Sequence, residues 1–125
     1  MRTPKIAILN YSTRSQHFID IKQSFKADWI LDPPLENVAK ISRSVDLVLT
    51  SDEFDPNGCI ILLEFIRNNV PALHIMDGIL EWRNTWENPR SLTEDRGFPL
   101  HQPIVSHKIA CLGLSQTRLL ESWGN

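Results

Sequence analysis

An α/β fold built on a single parallel sheet is predicted by three features of this 125-residue sequence. Short, continuously apolar runs recur along it, such as Ile6-Ala7-Ile8-Leu9 and Leu47-Val48-Leu49. Runs of that kind suit strands covered on both faces. Between them lie segments whose apolar residues repeat at helical spacing. The two kinds of segment alternate along the chain, which is the pattern of parallel strands with helices on either side.

Residues 5–11 read as the first strand. Thr13 and Gln16 have capping-box spacing, so a helix is expected to begin there, with Phe18, Ile21 and Phe25 as its inner face. Residues 29–31 form a short second strand that Asp32-Pro33-Pro34 ends. A helix over 35–44 follows, with Leu35, Val38 and Ile41 inward, and then a third strand over 46–50. Asp55-Pro56 is a helix start, with Asp as cap and Pro at the first helical position. The helix over 57–69 is apolar around much of its circumference, so it is either deeply buried or covered by something outside the chain.

Residues 72–76 are the fourth strand, and Asp77-Gly78 is the turn after it. Ile79, Trp82 and Trp86 then fall on one helical face, which Asn88-Pro89 ends. Residues 88–106 show no clear period; irregular segments of that length are often functional or docked on a partner. Residues 108–112 are the fifth strand and 115–123 the last helix, with Leu119 and Trp123 inward and Gly124 as cap. The sum is one Rossmann-like three-layer sandwich over residues 1–125, with sheet order 3-2-1-4-5. That order would set strands 1 and 4 side by side where the winding reverses, and ligands bind at such a crevice. The loops meeting there would be 10–14 and 77–84.

The formal net charge of −2 gives no general attraction to nucleic acid or anionic membranes, so no nucleic-acid partner is expected. Cys59 and Cys111 sit in apolar surroundings and read as buried, reduced thiols. No apolar run approaches the roughly 20 residues that span a bilayer. The amino-terminal run is too short for a signal peptide, so a cytoplasmic location is the expectation. Neither glycine-rich phosphate loop, G-x-G-x-x-G or G-x-x-x-x-G-K-[ST], occurs, and no cofactor is expected.

Ser12-Thr13-Arg14-Ser15 places hydroxyls and a guanidinium at a helix start, where free N–H groups favour an anion. The plainer alternative is that Thr13 caps and Arg14 is solvated. Asp77 could act as a general base or orient a substrate hydroxyl, or it could simply cap the helix that follows. The predicted catalytic residue is Asp77, and the predicted substrate-binding residues are Asn10, Ser12, Thr13, Arg14, Gly78, Glu81 and Arg83. Asp52, Glu53 and Asp55 are either oxygen ligands for a hard cation or a solvated loop with one cap. His74 reads as a satisfied core histidine, and Trp82 and Trp86 as core. His101, His107 and Cys111 do not match a zinc spacing, so no metal is expected.

The final segment HKIACLGLSQTRLLESWGN resembles the last β-α unit of the N-terminal domain of GT-B-fold glycosyltransferases. It is similar to the branch with UDP-N-acetylglucosamine 2-epimerase and the CDP-glycerol glycerophosphotransferases, where a helix ending in Trp-Gly leads into an interdomain linker. Trp123-Gly124 matches that pair; the Gly-x-Pro turn that usually follows is absent. The resemblance implies the N-terminal half of a longer two-domain protein, the acceptor-side half, not active alone. Its partners would be a C-terminal domain that binds the nucleotide-sugar donor, and a sugar or glycan acceptor; the oligomeric state is left open. Many relatives carry a catalytic His-Gly after the fourth strand, and here Asp77-Gly78 stands in that place. A flavodoxin-like small-molecule module and a non-catalytic interaction domain are the alternatives. A response-regulator receiver is excluded: it needs acidic residues after strand 1 and a lysine after strand 5, where Asn10-Tyr11 and Leu112-Gly113 stand.

Overall fold

The computed structural model describes residues 2–53, 55–76, 104–122 and 124. Five strands form one sheet: β1 (Lys5–Ile8), β2 (Asp28–Leu31), β3 (Leu47–Thr50), β4 (Ala72–Ile75) and β5 (Lys108–Ala110). Every pairing is parallel, as the apolar runs predict. The order is β2-β1-β3-β4-β5 and not the expected 3-2-1-4-5. The reason is burial. Val48, Leu49 and Thr50 of β3 are all buried, whereas both ends of β2 are exposed. A strand apolar on both faces is stabilised most at the centre, so β3 takes the place beside β1 and β2 goes to the edge. The winding therefore reverses between β1 and β3, and β1 and β4 are separated by a strand.

The helices are α1 (Tyr11–Arg14), α2 (Ile19–Ser24), α3 (Leu35–Ile41), α4 (Pro56–Arg67) and α5 (Leu114–Ser122), with a 3₁₀ turn at Ser15–His17 between the first two. The chain divides into two compact units, Met1–Asp77 with Val105–Ala110, and Gly78–Ile104 with Cys111–Asn125. All five strands and α1 to α4 belong to the first. Strand alternation sorts its core into two layers. Ala7, Leu9, Val48 and Ala72 point to one face, where they pack with Val38 of α3 and Leu62 and Phe65 of α4. Ile8 and Leu49 point to the other and meet Phe18, with Ile21 of α2 beside them. Helices thus cover both faces, giving the three layers of a Rossmann-like fold.

Local chemistry explains where the elements stop. β1 ends at Ile8, short of the expected residue 11, because Asn10 takes a left-handed conformation at φ 56° and turns the chain directly into α1. Asn tolerates that region better than other side chains with a Cβ. Thr13 is inside α1 and not its cap; its hydroxyl donates to the Asn10 carbonyl at 3.2 Å. Asp55 caps α4 as predicted, accepting the Gly58 N–H at 2.7 Å. The other end of α4 closes in a Schellman motif. Asn69 is left-handed at φ 61°, its N–H reaches the Ile66 carbonyl, and the Val70 N–H reaches that of Phe65 at 3.0 Å. Val70 and Phe65 are both core, which supplies the apolar contact that accompanies this motif.

Some inward assignments change. Leu35 opens α3 but is 45% exposed; Val38 holds the buried position. Leu62 and Phe65 are the buried face of α4, while Ile60 is 51% exposed. In the second unit, Leu120 and Gln116 are the buried residues of α5, and Leu119 is half-buried. The Gln116 side chain accepts the Leu112 N–H at 2.7 Å, and Gly124 takes a positive φ at the helix end. Cys59 and Cys111 are not joined in a disulfide, and both are half-buried. At the amino end of the sheet, Asp46 accepts the Lys5 N–H at 2.8 Å and pairs with Arg2. The Lys5 N–H, and after it the Arg2 guanidinium, hold the Asp46 carboxyl below its ordinary value. Among the described residues no helix is long and apolar enough to cross a membrane.

The two faces of α4 make a direct comparison. Phe65→Ala is expected to cost about 3–5 kcal/mol in urea denaturation, the range for opening a core cavity of that size. Ile60→Gln on the exposed face should change stability by less than about 1 kcal/mol.

Candidate functional site

A crevice of about 430 Å³ opens at the carboxyl ends of β1 and β3, lined by Asn10, Thr13, Arg14, Asp52 and Asp55. It stands where the winding reverses, the place at which open parallel sheets bind ligands. The sequence anticipates half of it. Asn10, Thr13 and Arg14 are predicted binding residues and do line it; Ser12 lies beside them on α1. The other wall comes from the loop after β3 and not from the loop after β4, because β3 and not β4 neighbours β1. Strands are spaced about 4.8 Å apart, so β1 and β4 lie about 10 Å apart. The expected apposition of Arg14 and Asp77 across adjacent strands does not follow from this order. Asp77, Gly78, Glu81 and Arg83 lie outside the described residues, as do Trp82, Trp86 and His101.

The turn at Asn10 shapes the first wall. Its carbonyl accepts the Arg14 N–H at 2.9 Å, and its side-chain amide donates to the Asp52 carbonyl at 3.1 Å. Asp32, at the end of β2, completes the turn from the side. Its two carboxylate oxygens accept the N–H groups of Tyr11 and Ser12, both at 2.7 Å. Asp32 is itself left-handed, at φ 47°. The sequence suggests that this helix start would hold an external anion. In the structure a carboxylate of the chain itself sits on those two N–H groups. Nothing in the sequence marks Asp32 for this task until the neighbour of β1 is known.

The second wall divides the acidic cluster into three separate duties. Asp52 pairs with Arg14 at 3.1 Å and accepts the Asp55 N–H at 3.2 Å. Asp55 caps α4. Glu53 turns the other way and is buried, accepting from His74 Nδ1 at 3.2 Å and from the Ser106 hydroxyl at 2.7 Å. His74 is thereby a satisfied core histidine, as expected. No group of three or more His, Cys, Asp or Glu that could hold a metal ion occurs among the described residues. The Arg14–Asp52 pair is partly exposed, so it orients the two side chains more than it stabilises the fold. His17 adds a contact to Ser51 Oγ at 3.1 Å, and His107 Nδ1 accepts the Ala72 N–H at 3.1 Å.

Gly58 explains how the walls approach so closely. A Cβ at that position would lie 2.6 Å from the Asn10 amide nitrogen and 3.2 Å from an Asp55 carboxylate oxygen. The first turn of α4 therefore leaves room for the side chain that closes the β1 turn. A second cavity, of about 280 Å³, lies on the other face of the sheet against Ile6, Phe25, Trp29, Leu47 and Leu73. Among the described residues Lys26 is its one charged lining residue, which gives it little with which to orient a polar ligand.

Comparison with protein-family models, with curated proteins and with solved structures finds no match to this chain.

A double-mutant cycle tests the closure. Gly58→Ala should destabilise the protein by pushing the Asn10 amide off Asp52, although alanine favours a helix by up to about 1 kcal/mol. With Asn10→Gly, which keeps the left-handed turn and removes the side chain, Gly58→Ala should become neutral or stabilising. Thermal unfolding of the four proteins reads the coupling.

Proposed function

We propose that this chain is the acceptor-side domain of a GT-B-type glycosyltransferase or a related nucleotide-sugar enzyme, and that its crevice takes a polyhydroxylated acceptor. The observation that carries the proposal is the lining of the crevice at the reversal of winding. Asn10 and Arg14 offer donors, Asp52 and Asp55 offer acceptors, and the Thr13 hydroxyl offers both. Vicinal hydroxyls need donors and acceptors side by side, and a sugar or polyol presents them. The likeness of the last β-α segment to GT-B amino-terminal domains supports the class of reaction. Asp77, two residues on in sequence from Ile75 at the end of β4, is the proposed base. The nucleotide-sugar donor and the transfer itself would belong to a carboxyl-terminal domain.

A second reading has one observation in its favour: the order 2-1-3-4-5 is that of flavodoxin-like modules, whose ligand also sits between β1 and β3. There the amides after β1 would receive a phosphate. Here the Asp32 carboxylate already accepts those of Tyr11 and Ser12, and a phosphate placed there would meet like charge. A neutral acceptor avoids that repulsion.

Calorimetric titration separates the two. Mono- and disaccharides or glycerol-type polyols should bind the chain at millimolar strength, and Asp52→Asn should weaken that binding about tenfold, the value of one charge-assisted hydrogen bond. Flavin mononucleotide should bind no better than free phosphate. Tight flavin binding with no polyol binding would reverse the proposal. The chain alone should also release no nucleotide from UDP- or CDP-linked donors.

A further inference from the structure

We infer that Glu53 is a positioning residue: the buried junction of Glu53, His74 and Ser106 fixes the loop between β3 and α4 from behind and so holds Asp52 and Asp55 in the crevice. The inference rests on the crevice being the working site, but its test needs no ligand. Glu53 is 3% exposed and His74 1% exposed. Its carboxylate accepts four donors: the His74 ring, the Ser106 hydroxyl, the Ser106 N–H at 3.3 Å and the Val105 N–H. Those donors come from β4 and from the segment entering β5, so one side chain ties the loop after β3 to both of them. The residue before it, Asp52, lines the crevice, and so does Asp55 two places on. The anchors of this loop on the crevice side are polar contacts at its surface, from Asn10 and Arg14. The deep anchor is Glu53.

The Val105 and Ser106 N–H groups can only donate, and with the Ser106 hydroxyl and the His74 ring donating as well the set suits the ionised carboxylate, which accepts from all four. Burial pushes this carboxyl up; the His74 ring, the Val105 N–H and the Ser106 hydroxyl together outweigh it and leave it below its ordinary value of 4.5. The sign follows. The junction's contribution is complete above that ordinary value and is lost as pH falls through the lower, folded one. His74 is the titratable group bonded to Glu53. Asp52 and Asp55 are the other acidic side chains on the same loop, with Arg14 bonded to Asp52 and His17 to Ser51, while His107 on the entering segment is bonded to Ala72.

Glu53→Gln, studied at pH 7, tests the inference without titrating the aspartates. The variant puts an amide donor where donors already converge. Amide hydrogen exchange of Val105 and Ser106 should speed up about tenfold or more, the consequence of losing hydrogen bonds to a charged group. The Asp55 and Gly58 amides, which report the crevice wall, should shift and lose protection with them, while Ile8 and Leu49 in the central strands should not change. Ser106→Ala, which keeps the carboxylate and removes one donor, should move the same amides less. If Val105 and Ser106 lose protection in either variant while Asp55 and Gly58 stay as in the wild type, Glu53 is a local strut and the inference fails. In the wild type, lowering the pH should reproduce the Glu53→Gln pattern with a midpoint below 4.5; the same transition persisting in Glu53→Gln would also overturn it.

Discussion

Most of the candidate site depends on how abruptly the chain leaves β1. Only one residue, Leu9, separates the last residue of the strand from the left-handed Asn10. So sharp an exit leaves the amides of Tyr11 and Ser12 pointing outward with no partner in their own helix. Asp32 supplies that partner from the adjacent edge strand. With the turn held in this way, the Asn10 side chain is aimed across the sheet to the loop after β3, over the glycine that makes room for it. The two walls are therefore one assembly.

Electrostatics gives the crevice its character. A helix start ordinarily attracts anions, yet here that attraction is satisfied inside the chain. Arg14 is matched by Asp52, and Asp55 is engaged by the first turn of α4. The lining is polar, and each of its charged side chains already has a hydrogen-bond partner within the chain. A ligand entering it meets directed hydrogen-bonding groups and two aspartates to one arginine, which favours hydroxyls over phosphates. One residue away, Glu53 shows the opposite solution: a buried charge made tolerable by four donors. Surface and interior chemistry thus alternate along a single short loop.

The fold class was legible from the apolar runs because burial on both faces of a strand leaves no polar alternation. Strand positions, the Asp55-Pro56 start and the core role of His74 were legible for the same local reasons. The order of strands was not, since it depends on which strand is most completely buried, and the sequence of β2 does not reveal that both its ends face outward. That single difference moved the second wall of the crevice from the loop after β4 to the loop after β3. The roles of Asp32 and Glu53 were not legible for a related reason. Each acts on a residue more than twenty positions away in sequence or on a neighbouring strand, and no spacing rule reaches that far. Thr13, by contrast, carried a spacing signal for a cap that the left-handed Asn10 pre-empted.

The most direct measurement is a crystal structure of the chain soaked with a disaccharide at a concentration that saturates binding. The account predicts density for the sugar between the β1 turn and the β3 loop, with hydroxyls within hydrogen-bonding distance of Asn10, Arg14 and Asp52, and the Asp32 carboxylate still on the amides of Tyr11 and Ser12. Density on the apolar face beside Trp29, or an anion displacing Asp32 while the crevice stays empty of sugar, would contradict it.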